Sequence, residues 1–479
     1  MHKRFLQAVA VAALARLLPL LLGMEHYGDS PVRIEIAERW AQAPHLWRGY
    51  LETFQYGPLH LTLLGAAIRL LHDRIVAARL LSLAAGMFSI WLLWRIAARL
   101  RGVDAAFVAA LGLALSPLHI QASTTGASEA LFLALLLFAI DCVLLDRALA
   151  GALLLGAAGL VRYDGWLYLP LLGALLWWQR RDAWRALGFS ALAAAPALAW
   201  MWINARYAGD ALAPIHHIDL DHRALAHLAL GWFGQVRWRL YALFYWPIAV
   251  CGIATPLLGV FSLWGAVQAL RRREQGWELA ALGWIPAALL TFRAAVLTDF
   301  RPLSRFALVA AALSLPFAFA PLAALGRRAM IATLALLALT PLALAAASYR
   351  RNGGLAEWAR PLSPLSTLPP GIEDAALWLR KNVRGDDVVL IDSAWHYLDI
   401  ALAFAVDLPD RQWLRVRWAD DFDERISRAA PTMAVLLYQG TLDHPDRDRF
   451  DFRQLRFCLA ARFTYATIYR RCDAAARSP

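Results

Sequence analysis

The chain has 479 residues, of which 60% are hydrophobic and only 18% are charged. That balance is far too apolar for a soluble globular protein of this length, and it indicates a membrane protein. Arginine-rich cytoplasmic connections between membrane helices account for the net charge of +12 without a nucleic-acid partner. We therefore expect a lipid bilayer, and no nucleic acid, as the partner of this chain.

Charge is concentrated towards the C-terminal end. Residues 350–479 hold 19 of the 48 basic and 18 of the 36 acidic side chains. The sequence therefore predicts a transmembrane domain at 1–350, a proline-rich linker at 351–370 and a soluble extracytoplasmic domain at 371–479.

The first predicted element is a membrane span at 5–24, which has about the 20 apolar residues needed to cross a bilayer. Lys3 and Arg4 precede it, so the positive-inside rule places the N-terminus in the cytoplasm. No small-residue cleavage site follows, which favours a membrane anchor over a signal peptide. Residues 25–75 then form the first outer loop.

Within this loop, Pro58–Leu71 is apolar but short and contains Arg69, which favours an interfacial or re-entrant helix over a span. A span here would also turn the basic cluster of Arg95, Arg99 and Arg101 outward, against the positive-inside rule. We therefore keep this helix on the outer surface.

The remaining apolar runs then alternate across the membrane. They are predicted at 76–97, 104–119, 129–146, 148–162, 165–178, 184–206 and 243–269, on both sides of an outer loop at 296–305, and at 330–348. With a further outer loop at 207–236, the sequence predicts an α-helical polytopic membrane protein of about eleven spans.

The charged tail has the pattern of a small α/β domain. Helical spacing is present at 371–383 and in a polar segment at 421–430, and short apolar runs typical of buried strands are present at 388–391 and 433–438. The tail also contains two cysteines. Cys458 and Cys472 form a disulfide if this domain faces an oxidising compartment, and two free thiols are the alternative.

The predicted topology gathers charged residues at the outer face. Asp29 lies just past the first span, and Glu129 begins the predicted span at 129–146. Either carboxylate could cap a helix, and Ser30 with Pro31 is a good helix start. Capping and function therefore both stay open for Asp29.

Arginines on the same side oppose the positive-inside rule and need another reason. Arg162 ends the span at 148–162, where snorkelling to the membrane surface is the alternative explanation. Arg301 and Arg305 lie in the outer loop at 296–305. Guanidinium groups bind phosphate oxygens bidentately, so a phosphate held at the membrane surface would explain these arginines.

Two further polar features have less specific interpretations. Three histidines and two aspartates cluster in the outer loop predicted at 207–236: His216, His217, Asp219, Asp221 and His222. Their spacing fits no metal template and favours a solvated loop, so a divalent metal is left open. Arg16 lies inside the first span, where a charge is costly, and is expected to line a cavity or contact a neighbouring helix.

Several of these features together resemble one group of proteins. They are Asp29 after the first span, the string Tyr56, Gly57, Pro58, Leu59 before the amphipathic helix, Ser116 and Pro117 followed by Glu129 at the next span, the 159–162 string ending at Arg162, and the 301–316 stretch with Arg305. In this order, and over most of residues 1–350, the chain resembles the polytopic glycosyltransferases of the GT-C superfold, of the protein O-mannosyltransferase and aminoarabinose transferase type.

The resemblance implies a GT-C-like fold and inverting transfer of a sugar from a polyprenyl-phosphate-linked donor to an acceptor hydroxyl. The acceptor is a protein, a lipid or a glycan, and the expected place is the outer face of a bacterial inner membrane. The roles that it implies are catalytic for Asp29, as base, and for Glu129, and donor phosphate binding for Arg162 with Arg301 or Arg305. Four further residues are expected to line the substrate site: Tyr56, Asp164, His216 and His217.

The chain departs from that family at three positions. Ser30 stands where relatives often have a second acidic residue, Gly57 where they often have proline, and Tyr56 where some have a donor-binding lysine. The donor and the subfamily are therefore left open. A polytopic transporter or flippase of a lipid-linked or polar substrate is the main alternative function, and a non-catalytic assembly protein is a third.

Overall fold

The computed structural model describes residues 2–226, 231–349, 362–392, 397–409, 412–415, 430–437, 448–452 and 454–472. Over these ranges the chain forms a helical body followed by a small domain with one mixed β-sheet. The predicted fold class, a polytopic helical protein with a small C-terminal α/β domain, is confirmed.

The first part of the helical body holds helices α1 to α9. They are α1 His2–Leu22, α2 Ser30–Gln42, α3 Tyr50–Thr53, α4 Pro58–Leu71, α5 Arg74–Arg101, α6 Val103–Ala114, α7 Pro117–Ala122, α8 Glu129–Leu144 and α9 Ala148–Val161.

The second part holds helices α10 to α18. They are α10 Tyr168–Arg180, α11 Ala183–Ala208, α12 Ala213–Ala226, α13 Trp232–Ile248, α14 Leu258–Arg272, α15 Trp277–Phe292, α16 Ala307–Ser314, α17 Phe319–Ala324 and α18 Arg327–Tyr349. Short 3₁₀ turns lie at Tyr163–Leu167, Ser304–Phe306 and Leu315–Phe317, and π-helical turns at Ala249–Ala254 and Arg293–Leu297.

Five helical stretches of the described residues are long and apolar enough to cross a membrane: Lys3–Leu22, Arg74–Arg101, Ala183–Ala208, Trp277–Leu297 and Arg327–Ser348. Shorter apolar helices lie at Pro58–Leu71, Val103–Ala114, Ala148–Val161 and Ser304–Phe317. The protein is therefore a membrane protein by length and composition of its helices, and the total of about eleven spans stays a prediction.

Two predicted spans are not continuous helices, and prolines explain both breaks. In the span predicted at 104–119, α6 ends before Ser116, whose hydroxyl accepts a hydrogen bond from the His119 backbone N–H (3.3 Å), and Pro117 begins α7. The span predicted at 243–269 is interrupted around Pro256, between a π-helical turn and α14. Proline has no N–H to donate within a helix, so the helices are interrupted at these two places, and the two spans themselves stay predictions.

The outer loops are more helical than their composition indicates. The loop predicted at 207–236 contains all of α12 and the start of α13. The helix predicted at Pro58–Leu71 forms with those bounds as α4, with proline in its first turn and His72 in the left-handed conformation at its end.

The C-terminal domain has helices α19 Pro370–Asn382 and α20 Leu398–Val406. Its strands are β1 Val389–Ile391, β2 Trp413–Arg415, β3 Met433–Leu437, β4 Arg449–Phe452, β5 Leu455–Arg462 and β6 Ala466–Arg471, in the sheet order β2-β1-β3-β6-β5-β4. The helix predicted at 371–383 and the strands predicted at 388–391 and 433–438 are all present, and their ends differ from the prediction by no more than a residue or two. The helix predicted at 421–430 lies almost entirely outside the described residues, as does Tyr438.

One apolar core joins this domain to the outer helices of the membrane part. Ile34 of α2 and Leu61 of α4 are buried in the same cluster as Ile372 of α19, Ile400 of α20 and Val435 of β3. Burial of apolar surface is the main favourable term in such docking. Cys458 on β5 and Cys472 just after β6 form a disulfide, which decides between the two alternatives left open by the sequence.

Candidate functional site

Asp29 ends the short connection between α1 and α2. Helix α2 begins at Ser30 with Pro31 in its first turn, but the Asp29 carboxylate makes no capping hydrogen bond. Its Oδ2 instead accepts a hydrogen bond from Arg305 Nη1 at 2.7 Å. Gly28 has a positive φ of 53°, and a Cβ there would lie 3.3 Å from Arg305 Nη1. Residues that carry a side chain rarely adopt this backbone conformation. The glycine therefore allows the turn that directs Asp29 towards Arg305.

Glu129 is the first residue of α8, and Arg162 follows the last residue of α9. Arg162 Nη1 donates a hydrogen bond to Glu129 Oε1 at 2.7 Å, and its Nε and Nη2 donate to Asp164 Oδ2 at 3.0 and 2.8 Å. Arg305 Nη1 lies 3.9 Å from Glu129 Oε1. Five predicted site residues therefore form one chain of alternating charge.

A cavity of about 260 Å³ lies beside this chain of charges. Its polar lining comes from Glu129, Arg162, Asp164 and Arg305, together with Asp219, His222 and Arg293. Its other walls are apolar and aromatic, and include Phe132, Trp166, Ile218, Leu290 and Phe306. Such a cavity can hold a molecule with an anionic group at one end and an apolar body.

Arg33 belongs to this site although the sequence analysis did not single it out. It lies one helical turn after Asp29 on α2, is buried, and places its guanidinium carbon 4.1 Å from the centre of the Tyr56 ring. The atoms Arg33 Nη1, Arg305 Nε and Tyr27 Oη are buried and have no hydrogen-bond partner among the described residues. The four-residue spacing from Asp29 was the signal that could have found Arg33.

Tyr56 is buried next to Arg33, and its hydroxyl lies 3.0 Å from the hydroxyl of Tyr397 in the C-terminal domain. The backbone carbonyl of Tyr56 accepts a hydrogen bond from Tyr163 Oη at 3.1 Å. Gly57, which follows, packs so close to α9 that a Cβ would lie 2.2 Å from the Leu160 carbonyl oxygen. Tyr56 is therefore held beside the charged chain without lining the cavity itself.

Besides Tyr56, three predicted site residues lie outside both the charged chain and the cavity lining. Arg301 is exposed, and its backbone N–H donates to His222 Nδ1 at 3.2 Å. His216 pairs with Asp210 at 2.6 Å, and His217 contacts the Tyr50 hydroxyl at 3.0 Å. The structure thus brings together Asp29, Glu129, Arg162, Asp164 and Arg305, and it separates the other three from them.

Opposing effects set the protonation of Asp29. Burial acts to raise the pKa of its carboxyl, but the positive charges of Arg305 and Arg33 outweigh burial and hold the pKa below its usual range. On the other side of the cavity, burial and the charges of Arg305 and Arg293 lower the pKa of His222 to about 4. At neutral pH the site therefore contains an ionised Asp29 and a neutral His222.

Among the described residues, no group of three or more histidine, cysteine, aspartate or glutamate side chains is placed to hold a metal ion. Arginines are the partners of the carboxylates of Asp29, Glu129 and Asp164.

Comparison with known proteins relates these residues to two groups. Residues 15–179, which include Asp29, Glu129 and Arg162, match the family model described as alpha-(1->6)-mannopyranosyltransferase, N-terminal domain. The chain is also similar to ArnT from Cupriavidus metallidurans in the apo state, with 16% identity and a TM-score of 0.61 over 99% of this chain and 98% of that one. ArnT bound to undecaprenyl phosphate gives 15% identity and a TM-score of 0.63 over 97% of both chains.

The chain therefore has the ArnT fold along almost its whole length. The resemblance to the GT-C glycosyltransferases is confirmed at the level of fold. The Archaeoglobus fulgidus oligosaccharyltransferase in complex with Zn and sulfate is less similar, with 14% identity and a TM-score of 0.46 over 90% of this chain and 67% of that one. No curated protein sequence matches this chain.

Proposed function

We propose that this protein is an inverting glycosyltransferase that moves a sugar from a polyprenyl-phosphate-linked donor to an acceptor hydroxyl. The observation that carries the proposal is the cavity whose charged end holds Arg162 and Arg305, with Asp29 bonded to Arg305 beside it. The structure of ArnT with undecaprenyl phosphate supports a polyprenyl phosphate as the ligand, and the mannopyranosyltransferase model supports sugar transfer.

The charged residues suit the chemistry of such a donor. Its sugar is joined to a phosphate, which gains negative charge as the bond between the anomeric carbon and the phosphate oxygen breaks. Arg162 and Arg305 stabilise that charge most in the transition state. Asp29 takes the proton of the acceptor hydroxyl, whose oxygen forms the new bond from the opposite side of the anomeric carbon. Inversion at that carbon follows.

The balance of charge makes Asp29 depend on the donor. Arg33, Arg162 and Arg305 are matched by the carboxylates of Asp29, Glu129 and Asp164. A phosphate that binds Arg305 competes with Asp29 for its guanidinium. Asp29 then loses part of the interaction that lowers its pKa, so it becomes a stronger base only when the donor is present.

The orientation predicted from the sequence fits this site. Arg4 at the start of α1 pairs with Asp104, and Arg101 at the end of α5 pairs with Glu274. Both pairs lie at the helix ends opposite to those that lead to Asp29, as expected if the arginine-rich side is cytoplasmic. The proposed location is the bacterial inner membrane, with the site and the C-terminal domain on the outer face.

The test compares Asp29→Asn with wild-type protein in membranes of the native host. Asp451→Asn is the matched control, because Asp451 is exposed on β4 in the C-terminal domain and pairs only with exposed Arg456 among the described residues. Polyprenyl phosphosugars are profiled by mass spectrometry at equal levels of folded protein.

We expect one phosphosugar to accumulate with Asp29→Asn and none with Asp451→Asn, and the accumulated lipid identifies the donor. An unchanged lipid profile with Asp29→Asn would contradict the proposal and favour a transport function.

A further inference from the structure

The connection that leads to Asp29 is tied to the C-terminal part of the chain. The backbone N–H of Met24 donates a hydrogen bond to the carbonyl oxygen of Ser366 at 2.7 Å. Ser366 lies in the linker just before α19, so the segment that leads into the C-terminal domain holds the chain five residues before Asp29. This contact fixes one end of the segment.

A buried ion-pair cluster fixes the other end. Arg415, the last residue of β2, donates from Nη1 to Glu35 Oε2 of α2 at 2.5 Å and from Nε to Asp399 Oδ2 of α20 at 2.6 Å. All three side chains are largely buried. One guanidinium therefore joins the helix that begins at Asp29 to two elements of the C-terminal domain.

Further contacts near this cluster also connect α2 and the neighbouring outer helices to the C-terminal domain. Arg74 Nη1 donates to Glu38 of α2 at 2.9 Å, and the Arg74 guanidinium carbon lies 4.4 Å from the centre of the Phe404 ring on α20. The hydroxyls of Tyr56 and Tyr397 also meet at 3.0 Å. With the shared apolar core, these contacts make α2 and the C-terminal domain one packed unit.

We infer that Arg415 is a positioning residue for Asp29, and that the C-terminal domain serves the site by fixing the position of α2. Glu35 lies six residues after Asp29 on the same helix, which is about 9 Å along the helix axis. A shift of α2 at Glu35 therefore moves Asp29 relative to the acceptor. This inference rests on the proposed function for its kinetic part.

Replacing Arg415 alone leaves buried negative charge between α2 and the C-terminal domain. Glu35 and Asp399 both approach the same guanidinium, and Glu35 also pairs with Arg39 on α2. Without Arg415, Asp399 therefore loses its cationic partner among the described residues and faces the Glu35 carboxylate across the boundary between α2 and the domain. Loss of one partner from a buried ion cluster leaves uncompensated charge, which favours separation of the elements that carry it. Neutralising all three residues removes that repulsion.

The test therefore compares Arg415→Met with the triple variant Glu35→Gln, Asp399→Asn, Arg415→Met. Arg456→Met is the matched control, since Arg456 makes an exposed pair with Asp451 in the same domain. Two measurements are made on the full-length protein in detergent: backbone hydrogen exchange across 30–42, and kcat and KM with the donor that accumulates with Asp29→Asn.

In Arg415→Met we expect exchange in 30–42 to be at least about tenfold faster and kcat to fall about 10- to 100-fold, while the donor KM stays within about twofold because Arg162 and Arg305 are intact. The triple variant should recover most of both changes. If Arg415→Met does not fold, Glu35→Gln replaces it in the test. We then expect faster exchange in 30–42, a lower kcat and an unchanged donor KM.

Equal exchange in Arg415→Met and Arg456→Met would overturn the inference. A folded Arg415→Met variant with the wild-type kcat would also overturn the inference. The same holds if Arg415→Met raises the donor KM and leaves kcat unchanged. The exchange measurement needs no activity, so failure of the proposed function and failure of this inference are distinguishable.

Discussion

The buried arginines of α1 and of the candidate site have different kinds of partner. Arg16, in α1, donates to Ser123 Oγ at 2.8 Å and to the carbonyl oxygens of Ala12 and Ala114 at 2.9 and 3.1 Å, and its Nη2 lies 2.7 Å from His119 Nδ1. All these partners are uncharged groups of the protein. The expectation that Arg16 contacts a neighbouring helix is confirmed, because His119 lies on α7.

The arginines at the candidate site are arranged differently. Arg305 and Arg33 lie next to the carboxylate of Asp29, and each keeps a buried N–H without a partner among the described residues. A buried donor without an acceptor is costly, so such donors are expected where a ligand supplies the acceptor. Burial of an arginine is therefore weak evidence of function. Arg415 Nη2 is also buried without a partner among the described residues, so an unpartnered donor indicates a ligand only where it lies beside a cavity.

The largest expected difference between the candidate site and the region around Arg16 is in the loss of turnover when an arginine is replaced. Arg305→Met removes the cation that contacts both Asp29 and the cavity, so kcat/KM should fall about 1,000-fold while the protein stays folded. Arg301→Met is the control, because Arg301 is exposed and lies outside the cavity lining. Steady-state transfer assays measure both, and a loss below about tenfold in Arg305→Met would contradict the assigned role.

The opposite result is expected for Arg16→Met. Its loss leaves Ser123, His119 and two carbonyl oxygens with fewer hydrogen bonds in a buried place, so the free energy of unfolding should fall by about 2–3 kcal/mol. Thermal unfolding in detergent measures the change. The kcat of the folded fraction should stay within about twofold of wild type. A variant that is stable but inactive would show that Arg16 is part of the site.

The smallest effect is a shift in the pH profile. Because Arg33 helps to lower the pKa of Asp29, Asp29 is ionised down to a pH below about 4, the ordinary value for aspartate. The acidic limb of kcat/KM should therefore lie in that range for the wild type. In Arg33→Met the pKa of Asp29 rises, so the limb moves to higher pH. Arg69→Met, an exposed change on α4, should leave the limb in place, and equal limbs in both variants would exclude Arg33 as a determinant of this pKa.

Much of the site could be predicted from the sequence, because the order of the spans places helix ends on one side. Asp29, Glu129, Arg162 and Arg305 were selected by that argument, and the structure places them within hydrogen-bond or ion-pair reach of one another. Their distances depend on helix tilt and packing, which hydropathy does not determine. Their catalytic and binding roles stay proposals.

Other parts of the structure were not predicted, for identifiable reasons. Arg33 lies on an amphipathic helix, where an arginine is usually exposed, but here it is buried with its guanidinium over the Tyr56 ring. Strand β4 alternates charged Arg449 and Asp451 with Phe450 and Phe452, a pattern that indicates a half-buried strand. The breaks at Pro117 and Pro256 follow from proline chemistry and could have been predicted from the sequence.

The core shared by α2, α4 and the C-terminal domain has a consequence for biosynthesis. Ile34 and Leu61 are synthesised early, but their partners Ile372, Ile400 and Val435 are synthesised only after α18. Domains fold as units when their contacts are available. The outer surface around Asp29 therefore reaches its final packing only after the residues through β3 have been synthesised, and a product truncated before α19 would carry the site residues without their support.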